Sequence, residues 1–330
     1  MPNAPVLTLS HFEVALLLAA RRAGAERATS SPDLGRTHCD VVIGSDAADF
    51  GDAGQLPWAL AERIAGDPNQ CFAVQAGSGR ELRVFSATTG WVRSLLPTGT
   101  APTTLVGGFT MHRIVGIDPR EDTVRKAGGD GPFAGPVLDT ATGLGYTAIH
   151  AARRAPSVVT VELDPAALEL ARDNPWSDEL FTAANLEQRT GDVAEIVREF
   201  VDGQFAHVIH DPPAFQLAGH LYSGAFYEQL ARITKKGGRV LHYIGDPESP
   251  NGARTTRGVR GAAVPRGTEG RCSGRRCRCG RHGSGEPVVA TGGAVSGQGN
   301  AFQITDGAAH ERPGRGSRVS RSGSPAPARS

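Results

Sequence analysis

One stretch, residues 137–164, constrains the fold more than any other part of this 330-residue chain. It reads VLDTATGLGYTAIHAARRAPSVVTVELD, which is an apolar run, a glycine-containing turn, a helical segment, a second apolar run and an acidic end. The two apolar runs are typical of buried parallel strands, and parallel strands need a long connection such as the helix between them. We therefore predict a βαβ unit with a turn and an acidic residue at its ligand-binding edge.

The turn and the acidic end together indicate a nucleoside site. Gly143 and Gly145 lack a Cβ atom, so the backbone of the turn can approach a ligand closely. Glu162 stands at the end of the second strand, where a carboxylate can accept the hydrogens of both ribose hydroxyls.

The residues around the turn narrow the kind of nucleoside. A dinucleotide turn has a third glycine where this chain has Ala148, and Asp139 before the turn would repel a pyrophosphate. An anionic side chain there suits a ligand that carries an ammonium and a sulfonium group. The turn resembles motif I of the class I S-adenosylmethionine-dependent methyltransferases. That resemblance implies S-adenosyl-L-methionine as cofactor, with Glu162 at its ribose and its methionine part held by Asp139, Thr142, Gly143 and Gly145.

Two more strand ends continue the pattern. Residues 186–192, LEQRTGD, predict a third strand, and the resemblance implies that Asp192 binds the adenine amino group. Residues 205–210 predict a fourth strand, which must stop at Asp211-Pro212-Pro213 because proline cannot donate a backbone hydrogen bond. This tripeptide resembles motif IV of methyltransferases that act on exocyclic amino groups. In those enzymes the acid side chain and a proline carbonyl accept the amino hydrogens, so Asp211, Pro212 and Pro213 are the predicted catalytic residues.

The candidate substrate contacts are less regular. Motif IV has an aromatic residue, the stacking platform for a flipped base, where this chain has Ala214, and Phe215 follows one place late; the chain departs from the motif here, and Phe215 is a candidate substrate contact. His112 and Arg113 precede the predicted catalytic domain and could act there as an acid, a base or a phosphate contact.

Alternating strands and amphipathic helices predict an α/β fold with a doubly wound, mostly parallel sheet. We expect a small α+β domain over residues 1–112 and a cofactor-binding methyltransferase domain over residues 113–257.

The resemblance spans about residues 117–246 and extends to a mainly archaeal group of predicted methyltransferases. The acceptor that it favours is an amino group on nucleic acid, with RNA preferred. Two alternatives stay open, an aminopropyltransferase of the spermidine synthase type and a non-catalytic protein that binds an S-adenosyl nucleoside.

Residues 258–330 have a different composition from the rest of the chain. They contain 12 Arg, no Lys and 4 acids, whereas residues 1–257 contain 23 basic and 30 acidic residues. Without apolar periodicity we expect a disordered tail, which is either a basic nucleic-acid arm or, as the composition favours, the product of a frameshift. A frameshift would remove the last two strands and leave a sheet edge unpaired. Cys272, Cys277 and Cys279 lack the paired spacing of a zinc site, so no metal is expected.

The N-terminal helix and the cysteines indicate where the protein is located. The apolar core of residues 11–22 is too short for a signal peptide or a membrane span. Five scattered cysteines agree with a reducing compartment, and we expect a cytoplasmic protein.

Overall fold

The computed structural model describes residues 6–213, 215–244, 288–291 and 300–306. Its first part is built from antiparallel strands and two helices. The strands are β1 (Leu7–Leu9), β2 (Arg27–Ser30), β3 (Cys39–Ile43), β4 (Ala47–Asp49), β5 (Gln55–Pro57), β6 (Phe72–Gln75), β7 (Ser78–Glu81), β8 (Arg83–Phe85), β9 (Val92–Leu96), β10 (Thr103–Val106) and β11 (Phe109–Thr110), and the helices are α1 (His11–Arg22) and α2 (Trp58–Ala65).

These strands form three small sheets, in the orders β1-β6-β7, β2-β3-β4-β5 and β11-β10-β9-β8. Helix α1 begins at a capping box. The Ser10 hydroxyl accepts a hydrogen bond from the Glu13 backbone N–H, and the Glu13 carboxylate accepts one from the Ser10 backbone N–H. Its apolar face packs with α2 through buried Val14, Leu17 and Trp58. The expected small α+β unit is therefore present, and its last strand ends at Thr110.

The second part contains the predicted parallel sheet. Its helices are α3 (Pro119–Lys126), α4 (Tyr146–Ala152), α5 (Pro165–Arg172), α6 (Asp178–Thr182), α7 (Val193–Ile196), α8 (Phe215–Ala218) and α9 (Gly224–Ile233), and its strands are β12 (Val137–Asp139), β13 (Val158–Glu162), β14 (Leu186–Thr190), β15 (Phe205–His210), β16 (Thr234–Ile244), β17 (Val288–Thr291) and β18 (Asn300–Asp306). The sheet has the order β14-β13-β12-β15-β16-β18-β17. The first five strands are mutually parallel, which confirms the predicted fold class.

Strands β17 and β18 come from the segment that was expected to lack structure. Strand β18 pairs antiparallel with β16, from Arg239 opposite Thr305 to Ile244 opposite Asn300, and β17 pairs with β18. The edge of β16 is thus covered, contrary to the expectation of an unpaired edge. The physical reason is that backbone N–H and C=O groups pair with little regard to side-chain identity. The other residues of 258–330, including the three tail cysteines, lie outside the described residues.

Apolar clusters cover both faces of the sheet. One includes Leu138, Phe205 and Leu230. The other joins Ile149 and Leu170 to side chains of the first unit, among them Leu95 and Ala101. The small four-stranded sheet β8–β11 is therefore packed against the part that contains the parallel sheet, through a shared core. Within the described part of the chain, no helix is both long enough and apolar enough to cross a membrane.

Candidate functional site

A cavity of about 380 Å³ lies where the carboxyl ends of the parallel strands face the small sheet β8–β11. The strand ends contribute Glu162, Asp192 and Asp211 to its wall, and the first unit contributes Trp91, Arg93 and His112. Ligands of open α/β sheets bind at this edge. The structure thus brings together predicted residues that are up to a hundred positions apart in sequence.

The turn after β12 has the backbone geometry that its glycines allow. Gly143 and Gly145 have φ angles of +53° and +80°, in the left-handed region that favours glycine. A Cβ atom on Gly145 would lie 2.7 Å from a side-chain carbon of Leu180, so a larger residue would also clash there. Gly143 faces open space, with nothing within 4 Å of the position of a Cβ atom. Thr142 lines the cavity beside it.

Asp139 lies behind this turn and is fully buried. One carboxylate oxygen accepts a 2.8 Å hydrogen bond from Thr160 Oγ1, while the other, Oδ1, has no partner among the described residues. Thr160 Oγ1 is in turn 2.7 Å from Thr142 Oγ1. Burial raises the pKa of Asp139 to about 7. Asp139 is not itself among the residues that line the cavity, whereas Thr140, Ala141 and Thr142 of the following turn are.

Glu162, at the end of β13, is held by neutral backbone donors. Its Oε2 accepts from the Gly143 N–H at 2.8 Å, and its Oε1 accepts from the Asp164 N–H at 3.0 Å. Burial raises the pKa of Glu162, and the two backbone bonds oppose that rise. Each carboxylate oxygen can accept more than one hydrogen bond, so both keep accepting capacity toward the cavity.

Asp192 is more exposed and caps a helix. Its Oδ1 accepts from the Ala194 N–H at 2.8 Å, which makes it the N-cap of α7. The same oxygen lies 3.3 Å from His220 Nε2. The Asp192 side chain is 37% exposed. Asp192 lines the cavity, and its contact with an adenine amino group stays a prediction.

Asp211, directly after β15, is paired with a lysine that the sequence analysis did not single out. Asp211 Oδ2 lies 2.8 Å from Lys126 Nζ, and Lys126 Nζ also lies 3.1 Å from Asp122 Oδ2. Burial raises the pKa of Asp211, whereas Lys126 opposes that rise. Lys126 is only 3% exposed, while Asp211 keeps 21% of its side chain exposed.

The two prolines after Asp211 also line the cavity. The Pro213 carbonyl accepts a 3.0 Å hydrogen bond from the Tyr222 hydroxyl, so Tyr222 anchors the end of the motif. Phe215 begins α8, but its side chain lies outside the described residues.

The structure separates the two residues predicted at the domain junction. His112 lines the cavity, its Nδ1 lies 3.0 Å from Thr103 Oγ1, and its ring lies 5.1 Å from that of Tyr146. Burial, with a contribution from Lys126, lowers the pKa of His112 well below its usual value, so its imidazole is neutral. Arg113 does not line the cavity, and its backbone N–H donates to Asp122 Oδ2 at 3.3 Å.

The small sheet is tied to the cavity edge by a buried ion pair. Arg93 Nε lies 2.6 Å from Asp164 Oδ2, with side chains that are 13% and 1% exposed. Thr89 Oγ1 donates to the same oxygen at 3.3 Å. Removing one partner of such a pair would leave a buried charge uncompensated. This contact therefore fixes the small sheet over the end of β13.

Sequence reasoning missed Lys126, Asp122 and Arg93. Asp122 and Lys126 are spaced four residues apart on a helix, which is the pattern of an ordinary exposed ion pair. A possible signal was that the whole chain has only three lysines, Lys126, Lys235 and Lys236. Nothing in the sequence placed Lys126 beside Asp211.

The charge of the cavity wall is predominantly negative. Its charged residues include one guanidinium, from Arg93, and four carboxylates, from Glu162, Asp164, Asp192 and Asp211. Such a wall favours a ligand with cationic groups. Across the described ranges, no cluster of three or more His, Cys, Asp or Glu side chains is arranged to hold a metal ion.

Comparisons with known proteins agree with this architecture. Residues 137–238 match the family model of a methyltransferase domain. An uncharacterized protein from Methanocaldococcus jannaschii is 40% identical over 195 residues, which is 59% of this chain and 66% of that protein, just under two thirds of its length.

Two solved structures share the fold. Spermidine synthase from Thermotoga maritima aligns with a TM-score of 0.50 and 16% identity, over 70% of this chain and 76% of that one. A spermidine synthase in complex with the transition state analogue AdoDATO has the same TM-score and identity, over 70% and 77%. Residues 137–238 thus match a methyltransferase domain, and the parallel strand order and the glycine turn of this region agree with that match.

Proposed function

We propose that this protein transfers the methyl group of S-adenosyl-L-methionine to an amino group on nucleic acid, with RNA as the preferred acceptor. The observation that carries the proposal is that Asp211 and Pro212 open into the same cavity as Glu162 and Asp192. The acceptor motif and the predicted nucleoside contacts thus share one enclosed space, as a direct transfer between two bound molecules requires.

The residues fit the cofactor in three places. Asp139 has an unsatisfied buried oxygen behind the turn, which is the kind of group that an ammonium can neutralise. Glu162 has accepting capacity on both oxygens for the ribose hydroxyls, and Asp192 has a free oxygen for the adenine amino group. Thr142, Gly143 and Gly145 shape the turn around the methionine part. When bound, the cofactor supplies an electrophilic methyl group on a sulfonium.

The acceptor contacts follow from motif IV. Asp211 and the Pro212 carbonyl accept the two hydrogens of the acceptor amine and orient its lone pair toward the methyl group. The bound cofactor would supply the methyl group and would keep the electrons of its C–S bond on sulfur as S-adenosylhomocysteine, while the acceptor nitrogen would form the new N–C bond. The positive charge that develops on nitrogen is stabilised by Asp211, and the surplus proton leaves from nitrogen to water. His112, neutral and at the same wall, is a candidate contact to the acceptor.

The negative wall limits what can enter. Phosphates would be repelled by Glu162, Asp192 and Asp211, so only an uncharged base should reach the cavity while the nucleic-acid backbone stays outside. Phe215 and Arg113 remain proposed contacts for the part of the acceptor outside the cavity.

A single assay separates this proposal from its alternatives. The full chain is incubated with methyl-labelled S-adenosylmethionine and bulk RNA, and in parallel with decarboxylated S-adenosylmethionine and putrescine or spermidine. We expect label in RNA and no new polyamine. A polyamine product would instead establish aminopropyl transfer, the reaction suggested by the shared fold of the spermidine synthases. Cofactor binding without any product would favour a non-catalytic binding protein.

A further inference from the structure

Lys126 uses all of its hydrogens inside the protein. Its ammonium lies within hydrogen-bonding distance of Asp122 Oδ2, at 3.1 Å, and of Asp211 Oδ2, at 2.8 Å. The third partner is the Met111 carbonyl, 3.2 Å away. The ammonium also lies 4.7 Å from the centre of the Tyr243 ring. With three acceptors for three N–H bonds, Lys126 has no donor left for a substrate.

We infer that Lys126 is a positioning residue for the acceptor, because it occupies Oδ2 of Asp211, with Asp122 holding it in place, and leaves Oδ1 to receive the acceptor amine. This inference rests on the proposed function for the role of the amine, but the arrangement of the three side chains does not depend on it. Lys126 acts through Asp211 and does not touch the reacting atoms.

The chemistry requires Asp211 to remain an anion. A protonated carboxyl group would present a hydrogen to the acceptor amine and would stabilise a positive charge poorly. Burial and the acids Asp122 and Asp139 oppose ionisation of Asp211, while Lys126 favours it. Among the described residues, Tyr222 and Tyr243 are further titratable groups that interact with Asp211. Both are neutral at pH 7, so Lys126 is the cation that decides the balance.

The first test needs no acceptor. Aspartate side-chain carboxyl carbons are labelled in the full chain and followed by NMR against pH, and the Asp211 signal is assigned by its loss in Asp211→Asn. In Lys126→Met we expect the Asp211 titration midpoint to rise by at least about one pH unit, since the opposite charge is lost. In Asp122→Asn we expect the midpoint to fall, because Asn keeps an oxygen for Lys126 but removes the competing negative charge.

Two further variants serve as controls, one for loss of folding and one for the side-chain change itself. Lys126→Met takes the cation away from the carboxylates of Asp122 and Asp211 and therefore destabilises the fold, so the double variant Asp122→Asn with Lys126→Met removes one acid and one base together. Its Asp211 midpoint should also lie above that of the wild type. Lys236→Met makes the same side-chain change at an exposed lysine and should leave the midpoint unchanged.

The second test follows transfer to bulk RNA as a function of pH. In folded Lys126 variants the acidic side of the rate profile should move to higher pH, while the affinity for S-adenosylhomocysteine stays within about twofold. An Asp211 midpoint that does not move in these variants, or that moves the same way in Asp122→Asn, would overturn the inference. Failure of the wild type to methylate RNA would count against the proposed acceptor only, because the NMR titration is independent of it.

Discussion

The ends of β13 and β15 both present a carboxylate to one cavity, but they hold it by different means. Glu162 is held by the backbone N–H groups of Gly143 and Asp164, which are neutral and close to the cofactor turn. Asp211 is held by the charged side chain of Lys126, from a helix that precedes the whole sheet. The first arrangement belongs to the βαβ unit itself, whereas the second joins two distant parts of the chain.

This difference matters for how each acid responds to change. A carboxylate that is bonded to backbone depends mainly on the local turn, and its partners cannot be removed by changing a side chain. A carboxylate paired with a buried lysine depends on a second charge, and losing either partner leaves the other uncompensated. We call the part of the cavity around Asp211 the acceptor end and the part around Glu162 the cofactor end, after their proposed roles. We expect the acceptor end to be more sensitive to distant substitutions than the cofactor end.

The largest effect should follow from substitution at the acceptor end. Asp211→Ala removes the acceptor carboxylate, and we expect methyl transfer to fall by about 100- to 1,000-fold, the usual effect of losing one electrostatic contact to the transition state. Affinity for S-adenosylhomocysteine, measured by calorimetry, should change little. A variant that lost cofactor affinity as strongly as activity would show that the two ends of the cavity do not act separately.

At the cofactor end, Glu162→Ala should weaken binding of S-adenosylhomocysteine by about 1.5 to 3 kcal/mol, the range for hydrogen bonds to a charged group. Glu162→Gln retains one oxygen acceptor and should lose less. Both affinities can be measured by calorimetry with the full chain. Tighter binding of NAD than of S-adenosylhomocysteine would contradict the assignment of this end to an S-adenosyl ligand.

The raised pKa of Asp139 predicts that both protein stability and ligand affinity depend on pH. Its pKa of about 7 in the folded protein is above the value of an unfolded aspartate, so at pH values between the two the folded state binds the extra proton. Stability contributed by this group is therefore present at low pH and falls as the pH rises toward 7. An ammonium ligand would favour the ionised form, so affinity for S-adenosylhomocysteine should increase with pH, by up to about tenfold per unit below pH 7.

The matched variant for this prediction is Asp139→Asn. It should bind more weakly at pH 8 and lose most of the pH dependence between pH 6 and 8, while its unfolding free energy should fall less with rising pH than that of the wild type. Calorimetry and denaturant unfolding at three pH values measure both quantities. An equally steep binding profile in Asp139→Asn would assign the titration to another group.

The smallest effect is expected at Asp192. Its side chain is partly exposed, so Asp192→Asn should weaken S-adenosylhomocysteine binding by only about 0.5 to 1.5 kcal/mol. Asparagine is also a good N-cap, so α7 should keep its stability. Asp192→Ala would lose both contacts and should lower the melting temperature as well. Equal losses of affinity in Asp192→Ala and Glu162→Ala would contradict the expectation that the more buried carboxylate contributes more to binding.

Prediction from sequence succeeded for structural features that lie within a short continuous segment. The strand β15 spans the predicted residues 205–210, and Gly143 and Gly145, chosen because they let the backbone approach a ligand closely, lie in a turn with positive φ angles. Arg113 was predicted on proximity along the chain alone, and it lies outside the cavity wall that His112 joins. Both residues lie in the segment between β11 and α3, and the sequence does not say which of two neighbours faces the cavity.

The sequence by itself determined the βαβ unit, the glycine turn and the acids at the strand ends, because each depends on periodicity or on backbone angles within a few residues. Only the tertiary structure decided that Lys126 lies beside Asp211 and that Arg93 fastens the small sheet to Asp164. It also placed β18 along the edge of β16. These contacts join residues far apart in the chain. The four-residue spacing of Asp122 and Lys126 is also the same whether the ion pair is exposed to water or buried, so the sequence does not distinguish the two cases. The desolvation that gives the pair its importance arises only when the surrounding elements have packed.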